Sequence, residues 1–264
     1  VSLKVSSVIG PHAAYGFNEA VEHAVNQLLP VFRVARENNT FINLDMEEYK
    51  DLHLTIAVFK NILDRDEFLT YHSGIVLQSY LPDGREALAD LTVWAKERRA
   101  RGGAPIKVRV VKGANLSMER VDAAMRGWEL TVQPTKEDTD ANYLVMLEDS
   151  LTKENVDAVR IGIAGQNLFT LAYGVLLARD NGLEIGTEVD VEMLAGMATP
   201  QANAVRDDVG PLLYYVPVVK PEEYDVAISY LVRRLEENAT PRTLCRTCSP
   251  SKTAPYSSSK RTVS

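Results

Sequence analysis

Short runs of β-branched and other apolar residues return at roughly 30- to 40-residue intervals along the chain, and each is followed by a stretch of helical periodicity. Few folds accept that alternation. A strand, a crossover helix and the next strand pack as a right-handed unit, so the pattern calls for a parallel sheet covered by helices. The strand-like runs are 1–7 (VSLKVSS), 41–45 (FINLD), 74–80 (GIVLQSY), 107–111 (KVRVV), 159–164 (VRIGIA), 188–194 (EVDVEML) and 213–219 (LYYVPVV). Helical spacing covers 18–38, with a kink expected at Pro30, then 49–63, 84–101, 117–130, 140–151, 168–181, 200–209 and 222–238.

No glycine-rich GxGxxG turn follows any of these runs, which disfavours a doubly wound dinucleotide-binding sheet. A (βα)8 barrel takes eight strands in about 250 residues. The chain has 264 residues and seven strand-like runs, and it opens abruptly on the first of them. The expected fold class is therefore α/β, a (βα)8 TIM-type barrel lacking its first βα unit, over residues 1–241. From 242 to 264 the chain turns basic and Ser/Thr-rich without a single acid, the composition of a disordered tail. Cys245 and Cys248 form a CxxC there with no second pair, so no metal site is expected. A net charge of −7 argues against a nucleic-acid partner. No apolar run approaches the ~20 residues that span a bilayer.

In parallel α/β folds ligands sit at the C-terminal ends of the strands. The stretch Lys107 to Asn115 ends its apolar run on such a mouth, with Arg109, Lys112 and Gly113 placed at it. Nearly every other strand offers a polar side chain at the same end: Lys4, Asp45, Gln78, Tyr80, Gln166, Asn167, Glu192 and Tyr215. One such residue reads as a group satisfying nearby backbone. A ring of them reads as a binding site, because each is costly to bury without a ligand. The last helical stretch adds Arg233 and Arg234, about 100° apart on a helix, with Glu237 about one turn beyond. Two forked guanidiniums suit a carboxylate ligand. A phosphate-sugar enzyme using Arg109 and Lys112 is a weaker alternative, since no glycine-rich phosphate turn follows the late strands.

FINLDMEEY, GIVLQSYLPD, VRVVKGA, LYYVPV and YLVRRLEEN, in this order and spacing, resemble the proline dehydrogenase domain of the bacterial bifunctional proline utilisation flavoproteins. The resemblance runs from about residue 1 to 240. It implies a (βα)8 barrel holding FAD at the strand C-termini, hydride transfer from L-proline to flavin N5 giving Δ1-pyrroline-5-carboxylate, and electrons passed to a quinone. For single residues it implies that Arg233 and Arg234 grip the proline carboxylate, with Glu237 orienting an arginine. Lys4 and Asp45 would flank the substrate, and Tyr215, Tyr230, Ala114 and Leu194 would shape its pocket. Gln78, Arg109, Lys112, Gly113, Ala114, Gln166, Asn167 and Glu192 would form the FAD site, with Thr135 and Lys136 at its adenosine end. It further implies a cytoplasmic protein with a fused or paired aldehyde dehydrogenase domain, and leaves open peripheral contact with the inner face of the plasma membrane. The chain departs from the family in lacking a first strand with its acidic motif, in Gln166 where a histidine is common, in Asn115-Leu116 where some members carry an aromatic pair, and in the tail. An inactive barrel fragment that holds no flavin is the alternative those departures raise.

Overall fold

A computed structural model of the chain describes residues 1–10, 16–46, 48–216, 218, 220–225, 228 and 232. The chain divides into two compact units, Val1–Val216 and Pro217–Ser264. Among the described residues of the second there is one 3-10 turn, Pro221–Glu223. Most of the helix expected over 222–238, and all of the tail expected over 242–264, lie outside the described residues.

The first unit runs β1 (Ser2–Lys4), α1 (Val5–Ile9), α2 (Phe17–Glu37), β2 (Ile42–Asp45), α3 (Leu52–Leu63), β3 (Ser73–Gln78), α4 (Gly84–Ala100), β4 (Ile106–Val111), α5 (Leu116–Arg126), α6 (Lys136–Ser150), α7 (Lys153–Val156), β5 (Val159–Ala164), α8 (Leu168–Asp180), β6 (Val189–Leu194), α9 (Thr199–Val209) and β7 (Leu212–Tyr215). Among the described residues its seven strands form one sheet in sequential order, every neighbouring pair parallel. The α/β alternation read from the sequence is thus the architecture found.

Several boundaries differ from those expected, each for a local reason. The strand expected over 1–7 stops at Lys4, level with Asp45 at the end of β2, and a short helix starts at Val5. The helix expected over 117–130 stops at Arg126, because Gly127 adopts a left-handed conformation at φ 66° that terminates it. The helix expected from 140 starts at Lys136, because the Thr135 hydroxyl accepts the Asp138 N–H at 3.0 Å and caps it. Pro30 lies inside the continuous α2. β7 covers Leu212–Tyr215 rather than the run expected over 213–219.

Alternation along each strand divides the sheet into two chemically different faces. Ile42, Leu44, Ile75, Leu77, Ile106, Val108, Val110, Ile161, Ile163, Val189 and Val191 belong to the buried apolar core. At the intervening positions stand Asn43, Asp45, Gln78, Lys107, Arg109, Asp190 and Glu192. This polar face is concave. The Tyr215 hydroxyl on β7 donates to Asp45 Oδ2 on β2 at 2.9 Å, so the sheet curls until its last strand reaches across to its second.

Below the sheet, α4 carries the fully buried Arg98, whose guanidinium donates to the carbonyls of Leu63, Phe68, Tyr71 and Ala104. Burial pushes its pKa down to about 10, so it stays a cation at neutral pH. One side chain therefore satisfies carbonyls from the end of α3, the loop before β3 and the approach to β4. Replacing Arg98 with Met leaves these acceptors unpaired at about 1–3 kcal/mol each before relaxation. The expected loss in urea unfolding is at least about 3 kcal/mol; a change under about 1 kcal/mol would show that the fold does not depend on this staple.

Candidate active site

The polar face is built around Arg109, on β4 in the middle of the sheet. Its Nε donates to Glu192 Oε2 on β6 at 2.5 Å, and its Nη1 donates to Asp45 Oδ1 on β2 at 3.1 Å. The same guanidinium lies over the Tyr215 ring, 5.1 Å from its centroid, and Tyr215 closes the loop through its hydrogen bond to Asp45. Asn43, one inward position earlier on β2, donates to Asp45 Oδ1 at 2.9 Å. Asp45, Arg109 and Tyr215, expected near the substrate or flavin, are thus brought together by direct contacts. Glu192 is gathered with them but sits deeper, at 3% exposure.

The network continues inward. Lys107 Nζ lies 2.6 Å from Glu192 Oε1 and 2.7 Å from Asp190 Oδ2, and Asp190 is also held by Arg160. Room for this comes from Gly162 on β5, the strand between. A Cβ there would lie 2.4 Å from Glu192 Oε1 and 3.2 Å from Lys107 Cε. Lys107, Arg160, Asp190 and Asn43 were not among the residues singled out from the sequence. Their signal was the two-residue spacing of Lys107 and Arg109, Arg160 and Gly162, and Asp190 and Glu192, which puts each pair on one face of its strand.

The remaining expected residues surround this group. Lys4 ends β1 in register with Asp45, and Leu194 ends β6 in register with Tyr215. Gln78 Nε2 donates to the Met46 carbonyl at 3.2 Å, and Gln166 Nε2 to that of Leu194 at 3.4 Å. Asn167 caps α8, its Oδ1 accepting the N–H of Phe169 at 3.0 Å and of Thr170 at 3.2 Å. Gly113 and Ala114 lie in the segment leaving β4. Gly113 has φ 125°, and a Cβ there would come within 2.4 Å of the Tyr80 ring, so this turn requires glycine twice over. Tyr230, Arg233, Arg234 and Glu237 lie outside the described residues.

A second charged group forms beside the mouth. Lys112 Nζ lies 2.6 Å from Asp140 Oδ1, while Lys136 Nζ lies 2.7 Å from Asp140 Oδ2. Lys136 thus joins Lys112 through one carboxylate, while Thr135, expected with it at the adenosine end, caps α6 and bonds Asp138. Burial lowers the Lys112 pKa against the opposing pull of Asp140. Burial alone would raise that of Asp140, but its two lysines outweigh it and hold the carboxyl below its usual range. The mouth thus offers two anchored cations, Arg109 and Lys112. Such donors suit an electron-rich, anionic cofactor.

A family profile described as proline dehydrogenase matches residues 1–246. The chain belongs to the proline dehydrogenase family. Bifunctional protein PutA of Klebsiella aerogenes is 27% identical over 249 residues, a match covering 90% of this chain and 18% of that protein. Proline dehydrogenase of Deinococcus radiodurans is 30% identical over 184 residues, 66% of this chain and 49% of that one. Among solved structures, proline utilization A from Corynebacterium freiburgense superposes with a TM-score of 0.85 at 51% identity, covering 90% of this chain and 25% of that one. The Bdellovibrio bacteriovorus protein, inactivated by N-propargylglycine, gives 0.85 at 35% identity over 93% and 25%. The chain therefore spans a quarter or less of these PutA proteins, the part that forms their proline dehydrogenase domain. Among the described residues no helix is long and apolar enough to cross a membrane.

The Lys112–Asp140–Lys136 group has a pH signature. A carboxyl whose folded pKa lies below its unfolded value near ~3.9 contributes stability that is present above that value and lost as pH falls through the folded one. Asp140→Asn should lower the urea midpoint at neutral pH and make its decline into acid shallower than in the parent. Parallel declines in the two proteins would remove Asp140 from the account.

Proposed function

We propose that the chain is an FAD-dependent proline dehydrogenase domain, oxidising L-proline to Δ1-pyrroline-5-carboxylate. The observation that carries this reading is Arg109, held between Asp45 and Glu192 beside Tyr215 at the C-terminal ends of the strands, in a chain of this family. Bound FAD would supply the acceptor for the hydride leaving the proline ring. Loss of that hydride and of a proton from nitrogen leaves a C=N bond in the product. A fixed cation beside the acceptor would stabilise the negative charge it gains without having to reorganise. Arg109 suits that part because two carboxylates lock its orientation. Asp45, Tyr215, Lys4, Ala114 and Leu194 would bound a small pocket. Lys112, Gly113, Gln78, Gln166, Asn167, Thr135 and Lys136 would hold the cofactor, and Arg233, Arg234 and Glu237 would form the clamp for the proline carboxylate.

In the same reading the curled sheet is a (βα)8 barrel short of one βα unit, over residues 1–241, and 242–264 carries no part of the site. Electrons would pass from the reduced flavin to a quinone, with the domain cytoplasmic or peripheral at the inner membrane face. An aldehyde dehydrogenase domain, fused or paired, would consume the product. One observation favours the inactive-fragment alternative: among the described residues β1 and β7 each pair with a single neighbouring strand.

The deciding experiment is the visible spectrum of the purified chain after FAD is added and the excess removed, before and after anaerobic proline. Retained flavin bands that bleach with proline are expected; absence of retained flavin would favour the fragment. Arg233→Met and Arg234→Met should each weaken proline binding by about 2–5 kcal/mol while flavin content changes little. Unchanged proline affinity would sink the clamp.

A further inference from the structure

The concave face holds a single file of alternating charge: Arg160, Asp190, Lys107, Glu192, Arg109, Asp45, ending at the Tyr215 hydroxyl. Three cations and three carboxylates make it neutral. Neutrality depends on Lys107. Without it, Arg160 is left to Asp190, and Glu192, buried at 3% exposure, is left to Arg109 among the ion pairs described. Lys107 is itself remote from the C-terminal strand ends, one residue inside the start of β4 and at 7% exposure, and Gly162 keeps space for it and for Glu192. The two oxygens of Glu192 are divided, Oε1 to Lys107 at 2.6 Å and Oε2 to Arg109 at 2.5 Å.

We propose that Lys107 is a positioning residue that shares Glu192 with Arg109, so that Arg109 keeps part of its positive charge for whatever binds at the strand C-termini. The proposal rests on the reading above, in which that ligand is a flavin gaining negative charge. Lys107 touches neither flavin nor substrate in this scheme. It acts through Glu192 by reducing how far that carboxylate neutralises Arg109. A carboxylate serving one cation in a dry interior neutralises it more than one divided between two.

The test compares the parent, Lys107→Met and the charge-balanced double variant Lys107→Met/Glu192→Gln, each as the whole chain in mildly alkaline buffer, where proton uptake by a carboxylate is least favoured. The first readout needs no flavin: the Arg109 Nε–Hε resonance, identified by its loss in Arg109→Lys. In Lys107→Met it should move downfield as Glu192 turns wholly to Arg109. In the double variant it should move back past its parent position, because a neutral amide is the weaker acceptor. A folded Lys107→Met with an unmoved resonance overturns the proposal. If Lys107→Met fails to fold, the double variant decides: a folded double variant supports the charge-sharing role, and an unfolded one assigns Lys107 to packing and overturns it. The second readout uses added FAD. The flavin potential should become more negative in Lys107→Met, with proline-dependent flavin reduction slowed roughly tenfold. A parent chain that retains no flavin counts against the proposed activity, while the resonance still decides the role of Lys107.

Discussion

The ion pairs of Arg109 tie the concave face together. With Asp45 on β2 and Glu192 on β6, one guanidinium spans the middle five strands of a seven-stranded sheet. Tyr215 brings β7 into the same constellation through Asp45 and the Arg109 face. A curled parallel sheet has to fill its concavity with side chains. Here the filling is polar, and its geometry is set by forked and bidentate contacts rather than by apolar packing.

That choice has energetic consequences. Desolvating so many charges is costly, and apolar residues of similar size often stabilise a fold better than a buried ion pair does. The apolar surface between sheet and helices, from Leu44 through Val108 and Ile161 to Val191, supplies the stability instead. The division lets the concave side be optimised for field and geometry. Gly162 illustrates the cost, giving up a side chain on β5 so that Glu192 can reach both cations. Arg98 plays the converse part beneath the sheet, a buried cation whose partners are carbonyls and whose effect is to fix loops.

Much of this was legible beforehand. The number and order of strands followed from apolar runs and helical spacing, and Asp45, Arg109 and Tyr215 were recognisable as polar groups at strand ends. The helix starts and stops were read less well, because caps such as Thr135 and Gly127 act over one turn and carry no periodic pattern. Lys107, Asp190 and Arg160 are harder to pick out, because they lie behind the last residues of their strands and only alternation puts them on the same face. Lys112 illustrates a different limit. Its position after β4 placed it at the mouth, yet nothing local indicated that its partner would be Asp140 on α6.

By itself, then, the sequence determined what depends on near neighbours and on pattern: which segments become strands and helices, that the sheet is parallel, and which side chains share a face. Those follow from backbone geometry and the two periodicities. Only the tertiary structure decided which charges meet. Arg109 and Glu192 are 83 residues apart and meet over Gly162, while Asp45 and Tyr215 are 170 apart and meet because the sheet curls. Curvature sums small twists over all seven strands and the helices packed behind them, and no single segment encodes it.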